Sequence, residues 1–428
     1  MAWLGLTTSI IDIILLKVIC QVNIISIPSM FNLFSLFFHC GQIIKIAFQI
    51  EGTVPLPFEN YASFDVIQKA FLFYLFSQTI FMIGVGISSN FVQREKQNNL
   101  FLFKNLDEDA ISVGKWLIFI GLIPRLYIDL LSMIGAMATG YEGVYSLYIP
   151  QPVQSFAFFF DAGLIFLLFG LGTKKRGRWL FLFGILYKCL VMSSGGRQDK
   201  VAFLLIWIFI YYFVIQTINF KKKCLLVGMC VIGFLFISSI GAVRTLGSFD
   251  LLDVLSLLFS GEMTHVFGNA LGEFGAALDT LEVAIGSTPE IIQYGYGRSY
   301  IAAFLSIIPL LLKQIPILDE STIFLHQLPA NFVFAFGGSY LGELYYNFSW
   351  FGILGSFVIG IEIGKINEKM LNGNYYTILQ KSWAAIVAVS LLLFIRGYIT
   401  DMVQKLAWTY FFLSAVSLNK RKNREKYD

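Results

Sequence analysis

Long apolar runs separated by short polar stretches dominate the chain. They cover residues 4–20, 27–48, 66–89, 113–137, 153–171, 179–192, 201–218 and 225–240. After a less hydrophobic region they resume at 341–363, 383–395 and 406–416. Apolar runs of about 18 or more residues mark helices that cross a bilayer. The pattern predicts an all-α, polytopic integral membrane protein with about 11 (10–12) transmembrane helices. A first bundle of about eight helices spans 1–240, and a large, partly helical loop region spans 241–340. A second bundle of about three helices covers 341–418, and a basic tail closes the chain at 419–428.

The polar loops set an orientation. Lys and Arg gather in QREK after the third run, TKKRGR after the fifth and KKK after the seventh. They gather again in KINEK after the ninth run and in the tail after the eleventh. Cytoplasmic loops retain Lys and Arg. One topology satisfies every loop: basic loops and tail inside, the others and the N-terminus outside. It predicts that SSGGRQDK (193–200), the 241–340 region and the turn at 396–401 share the outer face. Within 241–340, the pieces 251–259, 263–285 and 299–312 read as helices lying on or dipping into that surface. One further spanning pair fits the same hydropathy.

Composition agrees. The chain is 57% hydrophobic and 14% charged, where a soluble domain carries about 25% charged residues. The net charge of +4 follows the inner loops and gives no reason to expect nucleic acid. Cys20, Cys40, Cys189, Cys224 and Cys230 lie in or beside apolar runs and read as small buried hydrophobes. None falls within 241–340, so no disulfide is expected to staple that region. His39, His265 and His326 are far apart and no HExxH occurs, so neither a metal nor another cofactor is expected.

Candidate chemistry concentrates at the outer ends of the runs. The stretch FAFGGSYLGELYYNFSWFG (334–352) sets one carboxylate, Glu343, among aromatics ahead of an apolar run with no obvious stop. An ionisable group at a bilayer edge is expensive unless paired or wet. A helix start, where the dipole favours an anion, accounts for it as well. Arg197 lies in the GGRQDK loop, Arg244 in GAVRTLG, and Arg396 in FIRGYITD with Asp401. Each arginine alone reads equally as a snorkelling anchor. Together, on the non-basic side, they suit a diphosphate, because the guanidinium fork binds two oxygens at once. Arg125 and Asp129, at i and i+4 in PRLYIDLL, share one helix face and form either a structural pair or a substrate contact. Asp161 is a lone intramembrane acid that faces either the Arg125 region or a cavity.

The order GGRQDK, YGYGRSYIAAFLSIIP, FGGSYLGELYYNFSWFG and IRGYITDMV resembles the Wzy-type polymerases of O-antigen and other surface polysaccharides, over roughly residues 190–418. The resemblance implies a glycosyltransferase-C-like bundle on the plasma membrane, metal-independent and working on the outer face. Its substrates would be polyprenyl-diphosphate-linked oligosaccharide repeat units in the lipid bilayer, with a flippase and a chain-length regulator as partners. In that setting Glu343 is the first candidate for general base, with Glu273, Asp199, Asp401 and His326 as substitutes. Arg197, Arg244 and Arg396 would stabilise the departing diphosphate, and Asp401 and Tyr346 complete the substrate set. Tyr345, Tyr346 and Trp350 suit sugar stacking and helix packing alike. Three rivals stand beside this reading: an O-antigen ligase, a flippase or transporter, and a non-catalytic scaffold. A transporter would be expected to show repeated halves, and none is visible.

Overall fold

The structure, a computed structural model, describes residues 1–18, 23–52, 62–90, 106–139, 149–192, 198–216, 263–329, 337–371 and 376–424, with Phe103 and isolated positions between 219 and 239. All regular structure among the described residues is helical. Successive helices are α1 (Ala2–Val18), α2 (Ile27–Ala47), α3 (Phe64–Asn90), α4 (Glu108–Thr139), α5 (Gln151–Leu171), α6 (Lys175–Met192) and α7 (Gln198–Phe209). α7 runs on into a wider π-helical stretch, Ile210–Ile215. Then come α8 (Met263–Phe274), α9 (Ala277–Ser287), α10 (Arg298–Leu305), α11 (Tyr340–Phe348), α12 (Ile353–Leu371), α13 (Ile378–Phe394) and α14 (Ile399–Arg424).

Six of the described segments are long and apolar enough to cross a membrane: Ile27–Ala47, Phe64–Ser89, Glu108–Gly135, Gln151–Leu171, Gln198–Ile215 and Tyr340–Leu371. They match the second, third, fourth, fifth, seventh and ninth apolar runs. The protein is therefore a helical, multi-pass membrane protein. Eleven spans are not reached among the described residues. The eighth run, 225–240, lies largely outside them. α13 is apolar but has 17 residues, and α6 opens on Lys175, Arg176 and Arg178. The ninth run is also not one uninterrupted helix. α11 ends at Phe348, Ser349 takes a positive φ of 51°, and a 3₁₀ turn at Ser349–Gly352 precedes α12.

The chain forms two compact units. Unit 1 comprises Met1–Glu95, Val254–Glu368 and Leu391–Met402, and unit 2 comprises Lys96–Asp253, Lys369–Ser390 and Val403–Asp428. In unit 1, α11 packs on α9, and both α2 and α3 pack on α9. Phe31 of α2 stacks on Phe81 of α3 with centroids 4.7 Å apart and meets Tyr340 edge-on at 5.7 Å. Such aromatic geometry stabilises beyond area burial alone. In unit 2, α4 lies along α5. Gly114 and Gly163 face each other so closely that a Cβ on either would sit within 3 Å of the other's carbonyl oxygen. Small residues at such a contact let helix backbones approach in lipid, where packing rather than the hydrophobic effect drives association.

The reading of every cysteine as a buried hydrophobe needs one correction: Cys40 is buried, but Cys189 is exposed. It sits on α6 between Leu186 and Leu190, both exposed, so it lies on the outward, apolar face of that helix. Cys20, Cys224 and Cys230 lie outside the described residues.

Candidate functional site

The glycine pair and Glu343 sit where α11 begins. Ser339 is the N-cap and its hydroxyl accepts from the Gly342 N–H at 3.2 Å, satisfying one of the free donors of the helix start. The same hydroxyl meets His39 Nε2 of α2 at 3.0 Å. Just upstream, the Thr280 hydroxyl of α9 donates to the Gly337 carbonyl at 2.6 Å. Gly338 lies against Gly397 so tightly that a Cβ there would be 2.5 Å from the Gly397 carbonyl carbon. Only glycine allows that backbone approach.

Glu343, one turn into α11, is 1% exposed. Its Oε1 accepts from the Ser299 hydroxyl at 2.6 Å, and its Oε2 accepts from the Ile399 N–H at 2.9 Å. Ser299 belongs to the first turn of α10, and Ile399 is the first residue of α14. Early N–H groups of a helix have no partner within it, so Glu343 supplies an acceptor to α14 from elsewhere in the chain. Asn347, four residues on and on the same face of α11, fixes the arrangement. Its Nδ2 donates to Ser299 Oγ and to the Glu343 carbonyl, each at 2.8 Å, and its Oδ1 accepts from the Gly297 N–H at 3.0 Å. Ser299 thus accepts from Asn347 and is left to donate to Glu343. Among the described residues no cation pairs with Glu343.

Donors and acceptors without partners surround this brace. The hydroxyls of Tyr300, Tyr398 and Thr400 are buried and bond nothing among the described residues. Burial, with Glu343 nearby, pushes both phenols well above the ordinary tyrosine range, so each stays an O–H donor. On α9, Asp279 Oδ2 accepts from Gln42 Nε2 at 3.1 Å, while Asp279 Oδ1 and Glu282 Oε1 have no partner among the described residues.

A family model for "O-antigen polysaccharide polymerase Wzy" matches residues 2–419, nearly the whole chain. The chain belongs to that family. It is thus a membrane protein of O-antigen polysaccharide biosynthesis and a glycosyltransferase-like polymerase. No individual curated protein and no solved structure matches it.

Of the residues singled out in this polymerase from sequence, Glu343, Arg396, Asp401 and Tyr346 all fall in unit 1. Arg396 is half-buried, with its guanidinium carbon 5.9 Å from the Phe38 ring centroid. A Cβ on Gly337 would lie 3.0 Å from its Nε. Asp401 is exposed, two residues beyond the N–H that Glu343 accepts. Tyr346 is fully buried, stacks on Phe324 at 5.0 Å and bonds Gln327 through its hydroxyl. Its geometry is that of a packing residue, as is that of Tyr345, edge-on to Phe73 at 5.3 Å. His326 is exposed on a 3₁₀ turn, and Glu273 lies near the end of α8. Arg197 and Arg244 lie outside the described residues.

Asp199 belongs to unit 2 and to a separate ionic cluster. Arg125 Nε meets Asp129 at 2.8 Å, and its NH1 meets Asp161 at 3.5 Å and Asp199 at 4.0 Å. Lys188 meets Asp161 at 2.5 Å, Lys200 meets Asp199 at 3.0 Å, and the Tyr187 hydroxyl donates to Asp129. Asp161 does face Arg125. Among the described residues no group of three or more His, Cys, Asp or Glu is placed to hold a metal.

Sequence reasoning passed over Ser299, Asn347, Tyr300, Tyr398 and Asp279. Asn347 left a usable trace in its i+4 spacing from Glu343. Ser299 and Tyr300 lie inside YGYGRSY, a motif noted only for its wording.

Proposed function

We propose that the protein joins polyprenyl-diphosphate-linked oligosaccharide repeat units into a surface polysaccharide on the outer face of the bacterial plasma membrane. The growing chain is transferred from its lipid to a sugar hydroxyl of the next lipid-linked unit, releasing polyprenyl diphosphate. The observation that carries this beyond family membership is the Glu343 brace, whose contact at Ile399 lies three residues along the chain from Arg396. A buried carboxylate ties together the starts of three helices in the unit that also holds a half-buried arginine. Arg396 holds the diphosphate and stabilises charge as it departs, commonly the largest contribution to such a reaction. Glu343, with each oxygen already accepting a hydrogen bond, acts as a positioning residue. The unbonded Tyr300 and Tyr398 hydroxyls are donors for sugar or phosphate oxygens.

The test is the banding of surface polysaccharide from a strain lacking the gene, with and without the wild-type copy. Single repeat units in the deletion and a restored ladder on complementation support polymerisation. Full-length polymer that is merely unattached supports the ligase instead. Glu343→Gln separates positioning from proton transfer: a folded variant that keeps part of the ladder is positioning, and one with none makes Glu343 the proton acceptor.

A further inference from the structure

Three carboxylates are buried on α9 and α11 of unit 1, and they differ in what their oxygens meet. Glu343 has an accepted bond on each oxygen. Glu282 has a buried oxygen with no partner among the described residues. Asp279, 2% exposed, has one oxygen fixed by Gln42 and the other buried with no partner among the described residues. Buried polar atoms without partners are rare in native proteins, and an unfilled catalytic role is one of the few reasons for them.

Place adds to this. The residue after Asp279 is Thr280, whose hydroxyl holds the Gly337 carbonyl. Gly337 in turn lies against Arg396. Asp279 is thus next in the chain to the residue that holds Gly337, and the Arg396 charge acts on its carboxyl. The other titratable groups on elements packed against α9 are Tyr340, Glu343, Tyr345 and Tyr346 on α11; His39, Cys40 and Lys45 on α2; and Asp65, Lys69 and Tyr74 on α3. Glu282 shares the helix itself.

We propose that Asp279 is the proton acceptor for the attacking sugar hydroxyl, an assignment that rests on the polymerase reading above. The acceptor hydroxyl oxygen forms a bond to the anomeric carbon of the donor, and its proton passes to the free oxygen of Asp279. The bond between that carbon and the diphosphate oxygen breaks, and the diphosphate leaves with the electron pair beside Arg396. Asp279 then returns the proton to solvent or to the departing diphosphate.

The titration of the two α9 carboxylates separates their roles. Burial pushes Asp279 up to about 7, with the Gln42 bond and Arg396 pulling it back. Burial, and then Asp279 itself, push Glu282 up to about 9. At neutral pH Asp279 has both protonation states at hand, as an acid–base group requires, and Glu282 stays protonated.

The decisive experiment compares Asp279→Asn with wild type in the complemented deletion strain and as purified protein in detergent. Asparagine preserves shape and the Gln42 contact while removing the base. The expected result is a loss of polymer of about 10²-fold or more with a thermal midpoint unchanged or raised. A wild-type ladder from Asp279→Asn overturns the assignment. Should that variant not accumulate, the polymerisation rate of Glu343→Gln membranes decides: an acid limb with a midpoint near pH 7 supports Asp279, and a flat rate from about pH 5 to 8 overturns it. If wild type itself fails to restore a ladder, the polymerase reading falls instead.

Discussion

In unit 2 the buried aspartates face cations; in unit 1 the buried carboxylates face neutral donors or nothing. Buried Asp129 and Asp161, with the partly exposed Asp199, meet Arg125, Lys188 and Lys200, three acids against three bases. Glu343 meets a serine hydroxyl and a backbone N–H, and Asp279 an amide. The two solutions have different consequences. A charge-balanced cluster is satisfied internally, and removing one partner strands another charge in a low-dielectric interior. A carboxylate held by neutral donors keeps its negative charge, or its proton, available. The first arrangement locks α4, α5, α6 and α7 in register; the second leaves groups that a substrate can complete.

The largest expected effect is in unit 2. Asp161→Ala leaves Lys188, fully buried, without its carboxylate. Breaking a buried pair from one side costs about 3–5 kcal/mol, so this variant should vanish from membranes on immunoblotting. Asp161→Asn combined with Lys188→Met should recover much of that loss, since both charges go together. Recovery no better than the single variant would mean that the cluster does more than balance charge.

Glu343→Ala comes next. It leaves the Ser299 hydroxyl and the Ile399 N–H unpaired, at about 1–3 kcal/mol each. The thermal midpoint in detergent should fall clearly, and Glu343→Gln, which keeps an acceptor oxygen, should fall less. Equal midpoints for the two would remove the brace as the explanation.

A pH effect of intermediate size follows from Glu282. Its folded pKa is raised from 4.5 to about 9, so folding favours the protonated form. Its contribution is fully present below the unfolded value and is lost as pH rises through the folded one. Thermal stability measured between those two values should therefore decline with pH in wild type and decline less in Glu282→Gln. Identical slopes would show that Glu282 ionises freely.

The smallest effect on stability belongs to Tyr398→Phe. Its hydroxyl bonds nothing among the described residues, so the midpoint should move by less than about 1 kcal/mol equivalent, while polymer yield falls. Unchanged yield would remove the phenol from substrate binding.

Much of this contrast was already visible in the chain. Arg125 and Asp129 could be paired from spacing alone, because i,i+4 neighbours on a helix must lie side by side. Glu343 stood out as a charge in an apolar context. The break at Ser349–Gly352 was not visible, because the run is apolar on both sides of it. Arginines were expected to converge on Glu343, yet its actual partners are a serine and a backbone amide. Neither carries a charge that a sequence scan would flag.

The sequence by itself determined the helical membrane class, most of the spanning segments, the i,i+4 ion pair and the glycine–glutamate stretch as the place to look. These are local properties, set by run length and helical spacing. Only the tertiary structure decided what Glu343 and Asp279 meet. Ser299 is 44 residues from Glu343, Ile399 is 56 residues from it, and Gln42 is 237 residues from Asp279. Contacts at such separations leave no period in the chain, and they exist only once the helices have packed.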